Sequence, residues 1–251
     1  MEKQYFALLT DFGYDFAVAA IKAVIFSHVN NAEIIDLDHS GEKFAIKSAA
    51  FVLAKTYNYF PKNTIFLLIV DPGVGTERDA LLITTPNYSF VGPNNGIFDL
   101  LLKEEKDYEV LKIDNDAYLR GKPITFHGRD LFAPAAADFY LGQLEHFKPF
   151  EKEKLVHSIN ADETFIAYID SFGNIKTNKR ADDSFHYGSK ITLHFQNHIL
   201  TVPYVTTFQD VAPGELLAYQ GSNETIEIAI NQASAKSLLN VRVGDALRIS
   251  N

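Results

Sequence analysis

The chain contains no cysteine, so neither disulfides nor thiolate-held metals can support its fold, and that absence says little about compartment. Basic residues are in the minority: 23 Lys and Arg stand against 32 Asp and Glu, a formal charge of −9. A nucleic-acid partner would need a basic face, which this balance argues against. A cationic small ligand is compatible with it. No apolar run reaches the ~18 residues of a membrane span. The opening Met1-Glu2-Lys3-Gln4 also lacks the basic flank and apolar core of a secretory signal, so a cytoplasmic location with no membrane partner is expected. There is no Gly-Lys-Ser/Thr phosphate loop, and Gly73-Val74-Gly75-Thr76-Glu77-Arg78 begins a dinucleotide fingerprint without its third glycine. Internal repeats, low-complexity segments and heptads are absent as well.

What is present is ordinary globular material: 251 residues, 47% hydrophobic and 22% charged, enough for one large domain or two. Up to about Gly142 short apolar runs alternate with helical periodicity, the mark of α/β layering. Strands are expected at 5–9, 33–37, 64–70, 81–85, 88–91 and 123–126, and helices at 16–28, 44–59, 95–102 and 130–140. After a charged, proline-bearing stretch (146–154) the character changes to short β-branched or aromatic runs at 164–170, 191–196, 198–202, 216–219, 225–230 and 246–249. One short helix is expected near 233–239. The fold class is therefore an α/β N-terminal domain with a central, largely parallel sheet, followed by a smaller all-β barrel or sandwich. Boundaries fall at 1–148, a linker at 149–160, and 161–251.

Three strings place chemistry-bearing groups where expected strands give way to loops: Asp71-Pro72-Gly73-Val74-Gly75-Thr76-Glu77-Arg78, Val91-Gly92-Pro93-Asn94-Asn95-Gly96 and Phe126-His127-Gly128-Arg129-Asp130. Strand ends are where open α/β sheets hold ligands. A carboxylate, a guanidinium and an imidazole gathered there can orient and deprotonate water. Asp11 lies one residue past an apolar strand; Asp15 is the better cap for the next helix, which leaves Asp11 for a donor-rich group such as a ribose diol. Asp36-Leu37-Asp38-His39 has metal-ligand character, although alternate polar residues at a strand end more often cap helices or face solvent, and no metal is expected. Asp170-Ser171-Phe172-Gly173-Asn174 reads as a hairpin turn. Asp11-Phe12-Gly13 and His127-Gly128-Arg129-Asp130 look like protein-kinase strings, but only ten residues precede Asp11, too few for a Gly-rich loop and a strand lysine.

Taken together, Leu9-Thr10-Asp11-Phe12-Gly13, the three strings above, Tyr168-Ile169-Asp170-Ser171-Phe172-Gly173-Asn174-Ile175-Lys176-Thr177-Asn178, Gly221-Ser222 and Glu227-Ile228-Ala229-Ile230-Asn231 resemble the S-adenosylmethionine hydroxide adenosyltransferases. These are the hydrolase branch of a superfamily that also contains fluorinating and chlorinating enzymes. The resemblance implies that Asp71, Arg78 and His127 are the water-activating set. It implies that Asp11 holds the ribose hydroxyls, with Phe44, Asn95 and Phe126 near the ribose and sulfonium. Asp170 and Ser222 would hold the amino-acid end, and Phe172, Phe208 and Asn174 would surround the adenine. It further implies a homotrimer with sites between the first domain of one subunit and the second domain of its neighbour. No cofactor is expected, since S-adenosylmethionine is itself the substrate.

The implied reaction is attack of water on the ribose C5′ carbon, giving adenosine and methionine. The leaving group is a neutral thioether, so the chemistry requires neither a general acid nor a metal. Where the fluorinating relatives have a tyrosine this chain has Asp71, and where they have a halide-binding serine it has Gly128. A carboxylate repels a halide and accepts water. The competing readings are a halide-dependent adenosyltransferase and a binding module without turnover.

Overall fold

The computed structural model describes residues 2–196 and 198–251. The chain divides into two compact units, Met1–Ile159 and Asn160–Asn251.

In the first unit the strands are β1 (Gln4–Thr10), β2 (Ala32–Asp38), β3 (Ile65–Ile69), β4 (Ala80–Thr84), β5 (Ser89–Pro93), β6 (Glu109–Ile113) and β7 (Phe147–Pro149). They form one sheet in the order β2-β1-β3-β5-β4-β6-β7. The block β2-β1-β3-β5 is parallel, and β4, β6 and β7 extend it in antiparallel pairs. The helices are α1 (Phe16–His28), α2 (Ile46–Thr56), α3 (Asp99–Glu104), α4 (Asn115–Leu119) and α5 (Ala133–Tyr140).

Alternate residues of a strand face opposite sides of its sheet, and here both sides are apolar. Phe6 and Leu8 of β1 join Ile21 and Ile25 of α1 and the alanines of α5 in one core. Ala7 and Leu9 join Leu53 of α2 and Leu101 of α3 in the other. That explains why β1 and β3 read as continuous apolar runs rather than as alternating ones.

The chain runs from β1 through α1 to β2 on one side of β1, then returns through α2 to β3 on the other. With α1 and α2 on opposite faces, a crevice opens at the carboxyl ends of β1 and β3. This is the topological switch point at which such sheets bind ligands.

Several local expectations differ from the structure. Residues 123–126 form turns, not a strand: Pro123 has no N–H to donate to a ladder, and the Phe126 carbonyl instead accepts from Asp130 N at 3.0 Å. Residues 95–98 precede α3 because Gly96 has φ +94° and the Asn95 Oδ1 accepts from Ile97 N. The segment expected as a linker is tied down as far as Ile159: Leu155 enters a core, Asn94 bonds Val156 N, and Asp99 Oδ2 accepts from Ser158 N and Ile159 N.

The second unit holds β8 (Ile166–Ile169), β9 (Ile175–Arg180), β10 (Lys190–Phe195), β11 (His198–Pro203), β12 (Leu216–Gln220), β13 (Thr225–Ile230), α6 (Ala235–Leu239) and β14 (Arg248–Ser250). Among the described residues they make two antiparallel sheets, β11-β10-β14 and β12-β13-β9-β8, and neither closes into a barrel. One core draws on both, including Ile191, Leu193, Ile175 and Ile228. Glu227 of β13 is buried, bonded by Lys176 Nζ at 2.8 Å and Tyr219 OH at 2.7 Å. A Cβ on residue 221 would stand 2.0 Å from Glu227 Oε1, so only glycine admits that carboxylate.

Candidate active site

The parallel strands deliver two of the acids. Asp11 follows the last residue of β1, and Asp71 lies two residues past the end of β3. After Asp71 the chain folds back through successive tight turns, Val74 N to Asp71 O (3.2 Å) and Thr76 N to Gly73 O (3.1 Å), which return Arg78 to the carboxylate just before β4 begins. His127 comes from the other direction, at the head of a wide helical turn over Gly128–Phe132 that leads into α5. There Ala133 N reaches back to Gly128 O, the five-residue spacing of a π-type turn, a feature frequent at functional sites.

Sequence reasoning grouped Asp71, Arg78 and His127, and the structure brings these three into one bonded cluster. Arg78 Nε donates to both Asp71 oxygens at 2.9 Å each, and Nη2 donates to Asp71 Oδ2 and, at 2.7 Å, to His127 Nδ1. The side chains of Arg78 and Asp71 are only 9% and 6% exposed. The guanidinium also lies over the Phe132 ring, 5.1 Å from its centroid.

Because arginine can only donate, His127 Nδ1 is an acceptor, and the neutral ring carries its proton on Nε2. Burial, and then the Arg78 charge, push the His127 pKa below its ordinary 6.5, outweighing the opposite pull of Asp71 and Asp130. Nε2 is buried and meets no side-chain partner among the described residues, and a hydrogen bond between the ring and the Ile124 backbone adds to the upward pull.

Asp71 and His127 line a cavity of about 340 Å³, together with Asp11, Phe44, Phe126 and Lys43. Asp11 is buried, and its Oδ2 accepts from Phe44 N at 2.7 Å. That bond fixes Phe44 at φ +64°, a left-handed conformation rare for a bulky residue, and the residue is 67% exposed. Phe126 packs edge-on against Phe12 with centroids 6.1 Å apart, and the Arg129 guanidinium stands 4.8 Å from its ring centre. Asn95 is not a lining residue: its Nδ2 donates to Val70 O at 3.0 Å, so its amide braces the chain next to Asp71.

The remaining expected residues belong to the second unit. Asp170 Oδ1 accepts from Phe172 N (3.0 Å) and Asn174 N (2.9 Å), and Oδ2 accepts from Asn174 Nδ2 (3.0 Å). The hairpin is thus locked from inside, which leaves Phe172 78% exposed at its tip. Phe208 packs against Tyr219 at 5.2 Å. Ser222 is exposed in the turn between β12 and β13. By the register of β13 on β9, that turn lies at the Arg180 end of the sheet and the Asp170 hairpin at the other, so the structure does not bring these two together within the unit.

The metal-like string is used locally. Asp38 Oδ1 accepts from Ser40 N and Oγ, Asp36 pairs with Lys22 at 2.7 Å, and His39 Nδ1 shares a hydrogen bond with Thr10 Oγ1 at 2.9 Å. His39 Nε2 comes within 3.0 Å of Asp36 but is not aligned for a hydrogen bond. The hydroxyl–imidazole–carboxylate series imitates a nucleophilic triad. Thr10 is buried, however, and accepts from Phe12 N, so it steadies the loop that carries Asp11.

Asp15 caps α1 as expected, accepting from Ala17 N, and also lines the cavity. Lys43 was missed as a lining residue. The only local signal, a charged residue before an aromatic at the start of a helix, is too common to single out.

Comparison with known proteins bears on the whole chain. The profile of the SAM hydroxide adenosyltransferase N-terminal domain matches residues 6–148, and that of the C-terminal domain matches residues 164–248. A protein named (R)-S-adenosyl-L-methionine hydrolase from Thermus thermophilus is 32% identical over 99% of this chain and 100% of its own. One of the same name from Methanocaldococcus jannaschii is 31% identical, covering 96% and 94%. A fluorinase from Nocardia brasiliensis is 22% identical over 97% and 95%. Among solved structures, an uncharacterized conserved protein from Thermotoga maritima superposes with a TM-score of 0.86 at 32% identity, covering 98% of this chain and 100% of that one. With both family domains matched in order and relatives at this identity along nearly the full length, the chain belongs to the SAM hydroxide adenosyltransferase family.

Proposed function

We infer that the protein hydrolyses S-adenosyl-L-methionine to adenosine and L-methionine. The observation that carries this reading is the Asp71–Arg78–His127 cluster in the wall of a cavity at the sheet's switch point. The names of its relatives agree, with hydrolases at 30–32% identity and fluorinases at 22–24%.

In this reading a water oxygen attacks C5′ in line with the carbon–sulfur bond. The bond's electron pair leaves on sulfur, which becomes the neutral thioether of methionine. The water proton passes to Asp71. His127 is not the base: its Nδ1 lone pair is held by Arg78 and its Nε2 carries a proton. His127 instead holds Arg78, and through it Asp71, in place. Arg78 fixes Asp71 and His127 relative to one another, and proximity of this kind supplies much of the rate. No proton has to be given to the leaving group, so no general acid, metal or cofactor enters the scheme.

Asp11 would take the ribose diol, with Phe44 and Phe126 flanking the sugar and sulfonium. Asp170, Phe172 and Asn174 of the hairpin, with Phe208, would come from the second unit of a neighbouring subunit in a homotrimer; Ser222, at the opposite end of the sheet from Asp170, would not share the amino-acid end with it. In favour of such an assembly, the segments that frame the cavity leave Tyr14, Phe16, Phe44 and Ile124 at least half exposed, apolar surface of the kind a partner covers. Co-refolding an Asp71→Asn variant with an Asn174→Ala variant should then restore part of the activity each lacks; mixed oligomers without activity would refute the shared site. Among the described residues no helix is long and apolar enough to cross a membrane. A cytoplasmic setting is part of the proposal on the sequence grounds given above.

The direct test is turnover in oxygen-18 water with mass analysis of the products. Label in adenosine supports attack at C5′. Tight binding without product would make the chain a binding module, and 5′-halo-adenosine formed in chloride or fluoride would make it a halogenase.

A further inference from the structure

We propose that Lys43 is a specificity-determining residue that pairs with the α-carboxylate of the substrate, an inference that rests on the hydrolase reading.

Lys43 sits in the turn Glu42–Ala45, closed by Ala45 N to Glu42 O at 3.2 Å and anchored by Phe44 N on Asp11. The left-handed backbone of Phe44 and the Asp11 bond fix this turn at the cavity, and Lys43 is part of the lining. Some lysines are paired, as Lys22 with Asp36, Lys112 with Asp79 and Lys176 with Glu227, and others such as Lys62 and Lys236 are not among the described residues; Lys43 differs from all of them in lining the cavity. Lys43 has no ion pair or hydrogen bond among the described residues.

Charge balance gives it a task. The lining side chains include three carboxylates, Asp11, Asp15 and Asp71, of which Asp71 is matched by Arg78. The two others suit a ligand bearing a sulfonium and an ammonium, but they repel its carboxylate. With His127 neutral, Lys43 is the one cation among the lining residues. Asp170 and Ser222, to which the family resemblance gives the amino-acid end, include no cation either. A lysine is a compact charge on a flexible stem and can follow a carboxylate at a half-open rim, where a rigid arginine fork would demand one geometry.

The test compares S-adenosylmethionine with its decarboxylated analogue, the aminopropyl sulfonium, for the intact protein and for Lys43→Met and Lys43→Arg. Lys43→Met should raise KM for S-adenosylmethionine roughly tenfold, between the values for an exposed pair and for a charged hydrogen bond. It should leave kcat and the KM of the analogue nearly unchanged, and Lys43→Arg should keep most of the preference. An unchanged ratio of the two KM values in Lys43→Met would overturn the assignment. If the intact protein releases no adenosine, the hydrolase reading falls by itself. The same ligands are then compared by calorimetry, where an unchanged Kd ratio overturns the role of Lys43 and a collapsed ratio supports it.

Discussion

Replacing Arg78 by methionine separates what the guanidinium does for stability from what it does for chemistry. The substitution keeps the length of the stem and removes the donors that join Asp71 to His127. Taking one partner from a buried pair costs about 3–5 kcal/mol because the other charge is stranded. Asp71 lines the cavity and water can reach it, so the lower figure applies, about 3 kcal/mol. At about 2–4 °C per kcal/mol for a protein of this size, the melting temperature should fall by roughly 6–12 °C. Turnover should fall at least ~10²-fold, the lower bound of a positioned base, while KM changes little, because the lost contacts act on the nucleophile and not on the substrate. Adding Asp71→Asn removes the stranded charge. The double variant should therefore recover most of the lost melting temperature and none of the activity, measured as adenosine release beside a thermal melt at neutral pH. Near-normal kcat in Arg78→Met would refute the water-activating cluster. A double variant no more stable than Arg78→Met would refute the ion-pair account of its stability.

Asp11→Ala should weaken binding of the natural substrate and abolish most of its preference over the 2′-deoxy analogue; an unchanged preference places the diol elsewhere. Because burial and Arg78 lower the His127 pKa, the folded state binds fewer protons there than the unfolded chain. The associated stability is full above pH 6.5 and drains away as pH falls through the lower folded value, and kcat/KM should follow the same acid limb. A His127→Gln variant should lose that part of the pH dependence of stability, and a limb that persists unaltered in the variant's melting curve argues for another group. Gly128→Ser would bring a Cβ within 2.9 Å of Ile21 Cδ1 and 3.3 Å of Ile69 Cγ2, so it should destabilise by roughly 1–2 kcal/mol as an overpacked site. With Asp71 still in place it should form no 5′-chloro-adenosine on incubation with chloride; product there would show that residue 128 alone selects the nucleophile.

The elements most legible in the sequence were those whose signal is local. Helix α1 lies over Phe16–His28 and strand β13 over Thr225–Ile230, as their periodicity and flanking caps predict. Strand β6, Glu109–Ile113, is marked by only two buried residues, Val110 and Ile113, among charged neighbours, and its place is set by pairing with β4 and β7. The apolar run 123–126 misleads in the opposite way, since a proline and the turn into the helical segment leave it no partner strand. Within the site, motif order pointed to Asp71, Arg78 and His127, but not to the direction of their hydrogen bonds. That direction depends on atoms 49 residues apart in the chain. Asn95 sits next to the site in sequence terms, yet its amide is spent on the Val70 carbonyl.

The left-handed backbone at Phe44 bears on how this protein can be stabilised or weakened. A phenylalanine held at φ +64° stores conformational energy, on the order of 1 kcal/mol or more, which glycine or asparagine would release. Selection for robustness alone would therefore replace it. Position 44 is thus a trade-off site, where thermal tolerance is exchanged for an aromatic wall at the cavity mouth. The carboxylate that enforces this posture is also the one assigned to the sugar hydroxyls. A ligand that draws on the same oxygens thus competes with the clamp, and ligand affinity and loop rigidity become two readings of one equilibrium.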